Sequence, residues 1–108
     1  MDAGNLCVDE RGEEAVVYPP TELDLTTAPL LDMLLSQASA LGVSRVVVDL
    51  RYVAFIDARC VRLLSDAAGS ADASGRRLVV RHPSRHFLRI AWALDDPSVS
   101  QLVVPDEG

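Results

Sequence analysis

The run Val46-Val47-Val48 constrains this chain more than any other stretch, because three consecutive β-branched residues without polar alternation suit a strand covered on both faces. Such a strand belongs in the middle of an α/β sheet. Asp49 closes it, and after a second short apolar segment, Tyr52, Val53, Phe55 and Ile56, comes Asp57. Its side chain suits a helix N-cap, accepting from the backbone N–H of Arg59 or Cys60. From Ala58 onward Cys60, Val61, Leu64, Ala67, Ala68 and Ala71 recur at three and four, while Arg59, Arg62, Asp66 and Ser70 fall on the other side. The stretch 45–64 therefore predicts a central strand, a tight turn and a helix that presents Arg59 outward from its first turn.

The remaining chain fits around that unit. Residues 6–9 and 15–18 read as two strands of a hairpin, with Gly12 and its charged neighbours in the turn. Pro19 and Pro20 then interrupt pairing, and TELDLTTAP reads as a loop whose Glu22 and Asp24 are exposed acids. Thr26 or Thr27 can cap a helix that carries Pro29 in its first turn and Asp32 near its positive end. Leu30, Leu31, Leu34, Leu35, Ala38 and Leu41 form its apolar stripe, and Gly42 is placed to end it in a left-handed conformation. A further strand is expected around Leu78, Val79 and Val80, beside the central one. A last helix begins at Pro83 or Ser84, with Phe87, Ile90, Ala91 and Leu94 on one side and Leu88 and Trp92 adjacent. Trp92 and Phe87 read as core, and residues 101–104 as a short extended tail. The order predicts one α/β domain spanning residues 1–108, with a small mixed β-sheet of about four to five strands covered by α-helices.

With a formal charge of −6, nucleic acid and anionic membrane are disfavoured as main partners. Arginines nevertheless gather in the second half, at Arg51, Arg59 and Arg62 and again from Arg76 to Arg89, so a local basic patch is compatible with the sequence. No apolar run approaches the roughly 20 residues of a membrane span, and the acidic start does not resemble a signal peptide, so a cytoplasmic location is expected. Cys7 and Cys60 read as small buried hydrophobes rather than a redox pair. His82 and His86 are four apart, but Pro83 lies between them and no acid or Cys completes a ligand set, so no metal is expected. No cofactor is expected either. The phosphate-binding, dinucleotide-binding, nucleophile-elbow and zinc-protease signatures are all missing, which makes an enzyme the weaker hypothesis. Asp57 reads as a helix cap rather than a catalytic acid.

Three pieces in order, Thr21-Glu22-Leu23-Asp24 before the first helix, Asp49-Leu50 at the end of the central strand, and Asp57-Ala58-Arg59-Cys60 at the next helix start, resemble the STAS domain of anti-sigma-factor antagonists. The resemblance covers roughly residues 15–104. It implies a regulatory protein-interaction module that binds an anti-sigma factor, a serine kinase with an ATPase-like fold, and so controls release of a sigma factor and transcription. In the family the corresponding motifs read GELD and D-S-S-G, and phosphorylation of the second serine switches binding off. A phosphate of about −1.5 to −2 charge in a tight interface alters both its charge and its shape. Here Arg59 stands at the usual serine position, Ala58 replaces the preceding serine, Cys60 the glycine, and Thr21 the glycine of the first loop, so no phosphorylation site is expected there.

The resemblance implies partner contacts at Glu22, Asp24, Thr26, Asp57, Ala58, Arg59, Cys60 and Arg62, in a monomer or weak homodimer. Arg59 reads equally as a solvated arginine or as a contact. Two alternatives stay open. One is a small-ligand sensor in which Arg59 or Arg62 pairs an anion, such as a nucleotide, at the helix N-terminus. The other is a scaffold subunit of a larger signalling assembly.

Overall fold

The computed structural model describes residues 4–9 and 11–94. The order is β1 (Asn5–Val8), β2 (Glu14–Tyr18), β3 (Glu22–Leu23), α1 (Ala28–Ala40), β4 (Arg45–Asp49), β5 (Phe55–Ile56), α2 (Ala58–Ala73), β6 (Arg77–Arg81) and α3 (Arg85–Leu94). Four strands form a mixed sheet in the order β1-β2-β4-β6, and β3 pairs with β5 in a second, two-stranded sheet. The valine run lies in β4, with β2 and β6 parallel on its two sides, as its unbroken apolar character predicts. The expected hairpin is β1 against β2, antiparallel, with Leu6 opposite Val17.

Alternation within the strands divides their residues between two faces. Ala15, Val17, Val46, Val48, Leu78 and Val80 join Leu31, Leu34 and Leu35 of α1 and Val61 and Leu64 of α2 in one buried cluster. Val47 and Val79 point the other way and are equally buried, each 1% exposed. Phe87 anchors α3 with no exposed surface at all.

Local chemistry sets the helix ends. Asp57 is extended, and its carboxylate accepts from the Cys60 amide at 3.0 Å, the expected N-cap. Ser84 accepts from the Phe87 amide at 3.0 Å ahead of α3. Gly42 follows α1 with φ +72°, the left-handed conformation its position predicts.

Several expectations are corrected. Residues 22–23 are a strand, not loop, because β5 offers them a parallel partner. Thr27 occupies the α1 N-cap position without capping it: its hydroxyl donates to the Glu22 carbonyl at 2.6 Å and accepts from the Asp24 amide at 3.0 Å. No acid lies in the first turn of α1, since Asp32 falls a turn further along. Cys7 is exposed, because β1 is the sheet's outer strand and turns most of its surface to solvent. Trp92 is 86% exposed rather than core. Helix α3 is amphipathic: its covered side bears Phe87, with Ile90, Ala91 and Leu94 partly buried, and Trp92 lies across the helix beside Arg85 and Arg89. The expected tail at residues 101–104 lies outside the described residues.

Candidate functional site

The candidate surface lies where β3 and β5 meet. Glu22 pairs with Phe55 and Leu23 with Ile56 in parallel register. The carbonyl of Thr21 accepts from the Ala54 amide at 2.7 Å, and that of Leu23 accepts from the Asp57 amide at 3.0 Å. These bonds fasten the loop of residues 21–27 directly to the start of α2. The residues expected at the partner surface therefore come together although they are far apart in sequence.

Each half is internally ordered. Asp24 Oδ1 accepts from the Thr26 hydroxyl at 2.6 Å and from the Thr26 and Thr27 amides at 2.9 and 3.2 Å. The Thr26 hydroxyl, followed by the two amides, holds the Asp24 carboxyl below the usual carboxylate range. Glu22 and Thr26 are exposed, and Leu25 between them is 63% exposed. On the other half, Ala58, Arg59 and Arg62 are exposed on α2. Arg59 makes no ion pair or hydrogen bond among the described residues, although a cation in a first helical turn is disfavoured by the helix dipole. Cys60 is set behind this surface, fully buried, with its thiol 3.8 Å from the Asp24 carbonyl oxygen. Burial, and then the Asp57 carboxylate, push the Cys60 thiol up to about 12. It is a structural thiol, not a nucleophile.

Two features could not be read from the chain alone. Phe55 is 46% exposed, stacking at 5.8 Å on the His86 ring, so an apolar aromatic borders the loop. Asp49, which reads simply as the end of a strand, is a buried carboxylate held by Arg51 and Arg81. An Arg two residues beyond a strand-terminal Asp was the only available sign of it.

A groove of about 720 Å³ runs between α1 and α2, lined by apolar Leu35, Val46, Leu63 and Leu78 and edged by Asp32 and Asp66. None of residues 57–62 lines it, so it is not a pocket at the start of α2. Among the described residues no group of His, Cys, Asp and Glu is arranged to hold a metal ion, and no helix is long and apolar enough to cross a membrane.

The family model described as Mlab, STAS domain, matches residues 6–95. The chain belongs to the STAS domain family. Its fold is that of SpoIIAA. The structure of the Bacillus cell fate determinant SpoIIAA in its phosphorylated form aligns with a TM-score of 0.70 at 20% identity, covering 94% of this chain and 88% of that one. The structure of the anti-sigma factor antagonist SpoIIAA in its unphosphorylated form aligns with a TM-score of 0.72 at 16% identity, covering 94% and 85%. No curated protein matches the chain. Membership of the STAS family accords with the GELD-like loop and the D-S-S-G-like turn, whose counterparts in this chain are the two halves joined by β3 and β5.

Proposed function

We propose that this STAS domain is a regulatory, non-enzymatic protein-binding module of the anti-sigma-factor-antagonist type. In this reading it acts in the cytoplasm, binds an anti-sigma factor with a serine-kinase, ATPase-like fold, and controls sigma-factor release and transcription. The contact surface comprises Glu22, Asp24 and Thr26 from the loop and Asp57, Ala58, Arg59 and Arg62 from the start of α2, with Cys60 supporting them from behind. The observation that carries the reading is the β3–β5 pairing, which merges two distant segments into one surface bearing exposed Leu25 and Phe55 and an Arg59 that has no ion pair among the described residues. Interface centres are rich in such aromatic and arginine side chains, whereas a face evolved only for solvation has no need of them.

Arg59 gives this module a permanent charge where relatives place a reversible one. A guanidinium keeps its charge throughout the physiological range and pairs with carboxylates through two parallel hydrogen bonds. Binding through Arg59 is therefore constitutive at this position, and regulation falls to partner abundance or to another site.

The test is affinity capture of the full chain from its native cell, followed by mass spectrometry and calorimetry. An anti-sigma factor kinase should be retained, and Arg59→Ala should weaken its binding by about 1–3 kcal/mol. Retention of no such kinase, or wild-type affinity in Arg59→Ala, would overturn the reading or reduce Arg59 to a solvated arginine, respectively.

A further inference from the structure

At the carboxyl ends of β4 and β6 lies a cluster that the α2 surface does not use. Asp49 and Arg81 are register partners there, and the Asp49 side chain has no exposed surface. It accepts from the Arg51 amide at 2.9 Å, from Arg51 Nε at 3.3 and 3.2 Å on its two oxygens, and from Arg81 Nε at 3.2 Å, with Arg81 Nη2 in ion-pair contact at 3.2 Å. Arg51 Nη2 lies 2.7 Å from His82 Nε2, and since a guanidinium only donates, that imidazole nitrogen is the acceptor.

The charge count is uneven. One carboxylate faces two guanidiniums, and among the described residues no other acid pairs with either arginine. One arginine would neutralise Asp49, and a buried ion pair is in any case a weak source of stability. The second arginine leaves a surplus positive charge on a chain whose net charge is −6. Both side chains remain accessible, at 44% and 38%; Arg51 has a further side-chain hydrogen bond to Tyr52, whereas the Arg81 side chain has no partner besides Asp49 among the described residues. Two forks are thus held at fixed positions by a buried carboxylate, with their orientation established before any ligand arrives. Beside them Tyr52 is 63% exposed, its ring 5.9 Å below the Arg51 guanidinium carbon and 6.2 Å from the Tyr18 ring.

We propose that Arg51 and Arg81, fixed by Asp49 and flanked by Tyr52, form a receptor for a carboxylate side chain on an acidic segment of a partner protein. Guanidinium forks match a carboxylate, and adjoining arginine and tyrosine are the composition of protein interface centres. Two arginines at one point offer no extended basic stripe along which a nucleic-acid backbone could lie, whereas they suffice to hold one carboxylate. The proposal stands independently of what binds at α2.

The test uses the full chain, labelled with nitrogen-15, and follows the arginine Nε–H resonances as an oligo-glutamate peptide is added. The Arg51 and Arg81 signals should shift saturably while those of Arg59 and Arg62 stay in place, and an oligo-lysine peptide of equal length should move neither. Arg81→Gln, which keeps a donor for Asp49, should weaken the peptide roughly tenfold, the loss of one charge-assisted contact. An unchanged amide spectrum away from the cluster would show that this variant is folded. Where Arg81→Gln is unfolded, Tyr52→Ala serves instead, with the same expectation of weaker peptide binding. Uniform shifts over all surface arginines, wild-type affinity in the folded variant, or tighter binding of inorganic phosphate or duplex DNA than of the peptide would each overturn the proposal.

Discussion

The thiol of Cys60 meets the main-chain oxygen of Asp24 at 3.8 Å, across a sequence separation of 36 residues. This contact lies under the junction between the loop and α2, so it reports whether the two halves of the surface are closed on each other.

Thiol chemistry reads that closure directly. Cys7 is exposed, whereas Cys60 is buried and its thiol is pushed up to about 12. In native protein at pH 8 a disulfide reagent should label Cys7 quickly and Cys60 only after denaturation, as peptide mapping would show. Equal labelling rates in the native state would mean that the junction opens. Because folding raises this thiol above its unfolded value, its contribution to stability is complete below the ordinary thiol range and is lost as pH climbs from about 9 towards 12.

The Asp24 carboxyl should titrate in the opposite sense. Its folded value is lowered, first by the Thr26 hydroxyl, so its contribution is present above the ordinary carboxylate range and lost as pH falls through the lower folded value. Thr26→Ala should bring the Asp24 titration, followed by carbon-13 NMR, back towards the ordinary range. A curve unchanged by the substitution would contradict the hydrogen-bond geometry.

At the α2 start, an anti-sigma kinase supplied with ATP should leave no phosphate on residues 58 and 59, since Ala58 and Arg59 have no hydroxyl. Phosphopeptide mapping that found a modified Ser65, Ser84 or nearby threonine in the folded protein would place the switch elsewhere. Arg59→Ala should also leave the unfolding free energy within about 0.5 kcal/mol of wild type, as expected of an exposed surface side chain.

Gly4 offers a test of packing. At φ +81° an added Cβ would sit 2.7 Å from the Tyr18 carbonyl oxygen and 2.8 Å from Leu34 Cδ1, so Gly4→Ala combines backbone strain with a clash. It should lower stability by about 2–4 kcal/mol in urea denaturation. Gly42→Ala, at φ +72° in open space, carries the strain alone and should lower it by about 1–2 kcal/mol.

What could be read in advance follows physical range. Val46 to Val48, the Asp57 cap and the left-handed Gly42 are determined by neighbours a few residues away, and each lies in the structure as its local chemistry predicts. β3 and β5 escaped notice because two residues are too few to show any periodicity. Trp92 stands two residues from both Ile90 and Leu94, a spacing that in a helix turns it away from their side and towards Arg85 and Arg89, so its apolar ring alone does not make it core. The loop acids and the α2 start could be named, but their junction could not, for it depends on strand register. The pairing of Asp49 with Arg81, 32 residues apart, is likewise a matter of register between β4 and β6.

The pairing of β3 with β5 also means that this recognition surface cannot be excised as a linear epitope. A peptide copying residues 51–64 would carry Phe55, Asp57 and Arg59 but would lack Leu23, whose carbonyl anchors the Asp57 amide. Its helical part would be too short to hold its shape in water. The surface is conformational, so an antibody or inhibitor raised against that peptide should not recognise the folded domain.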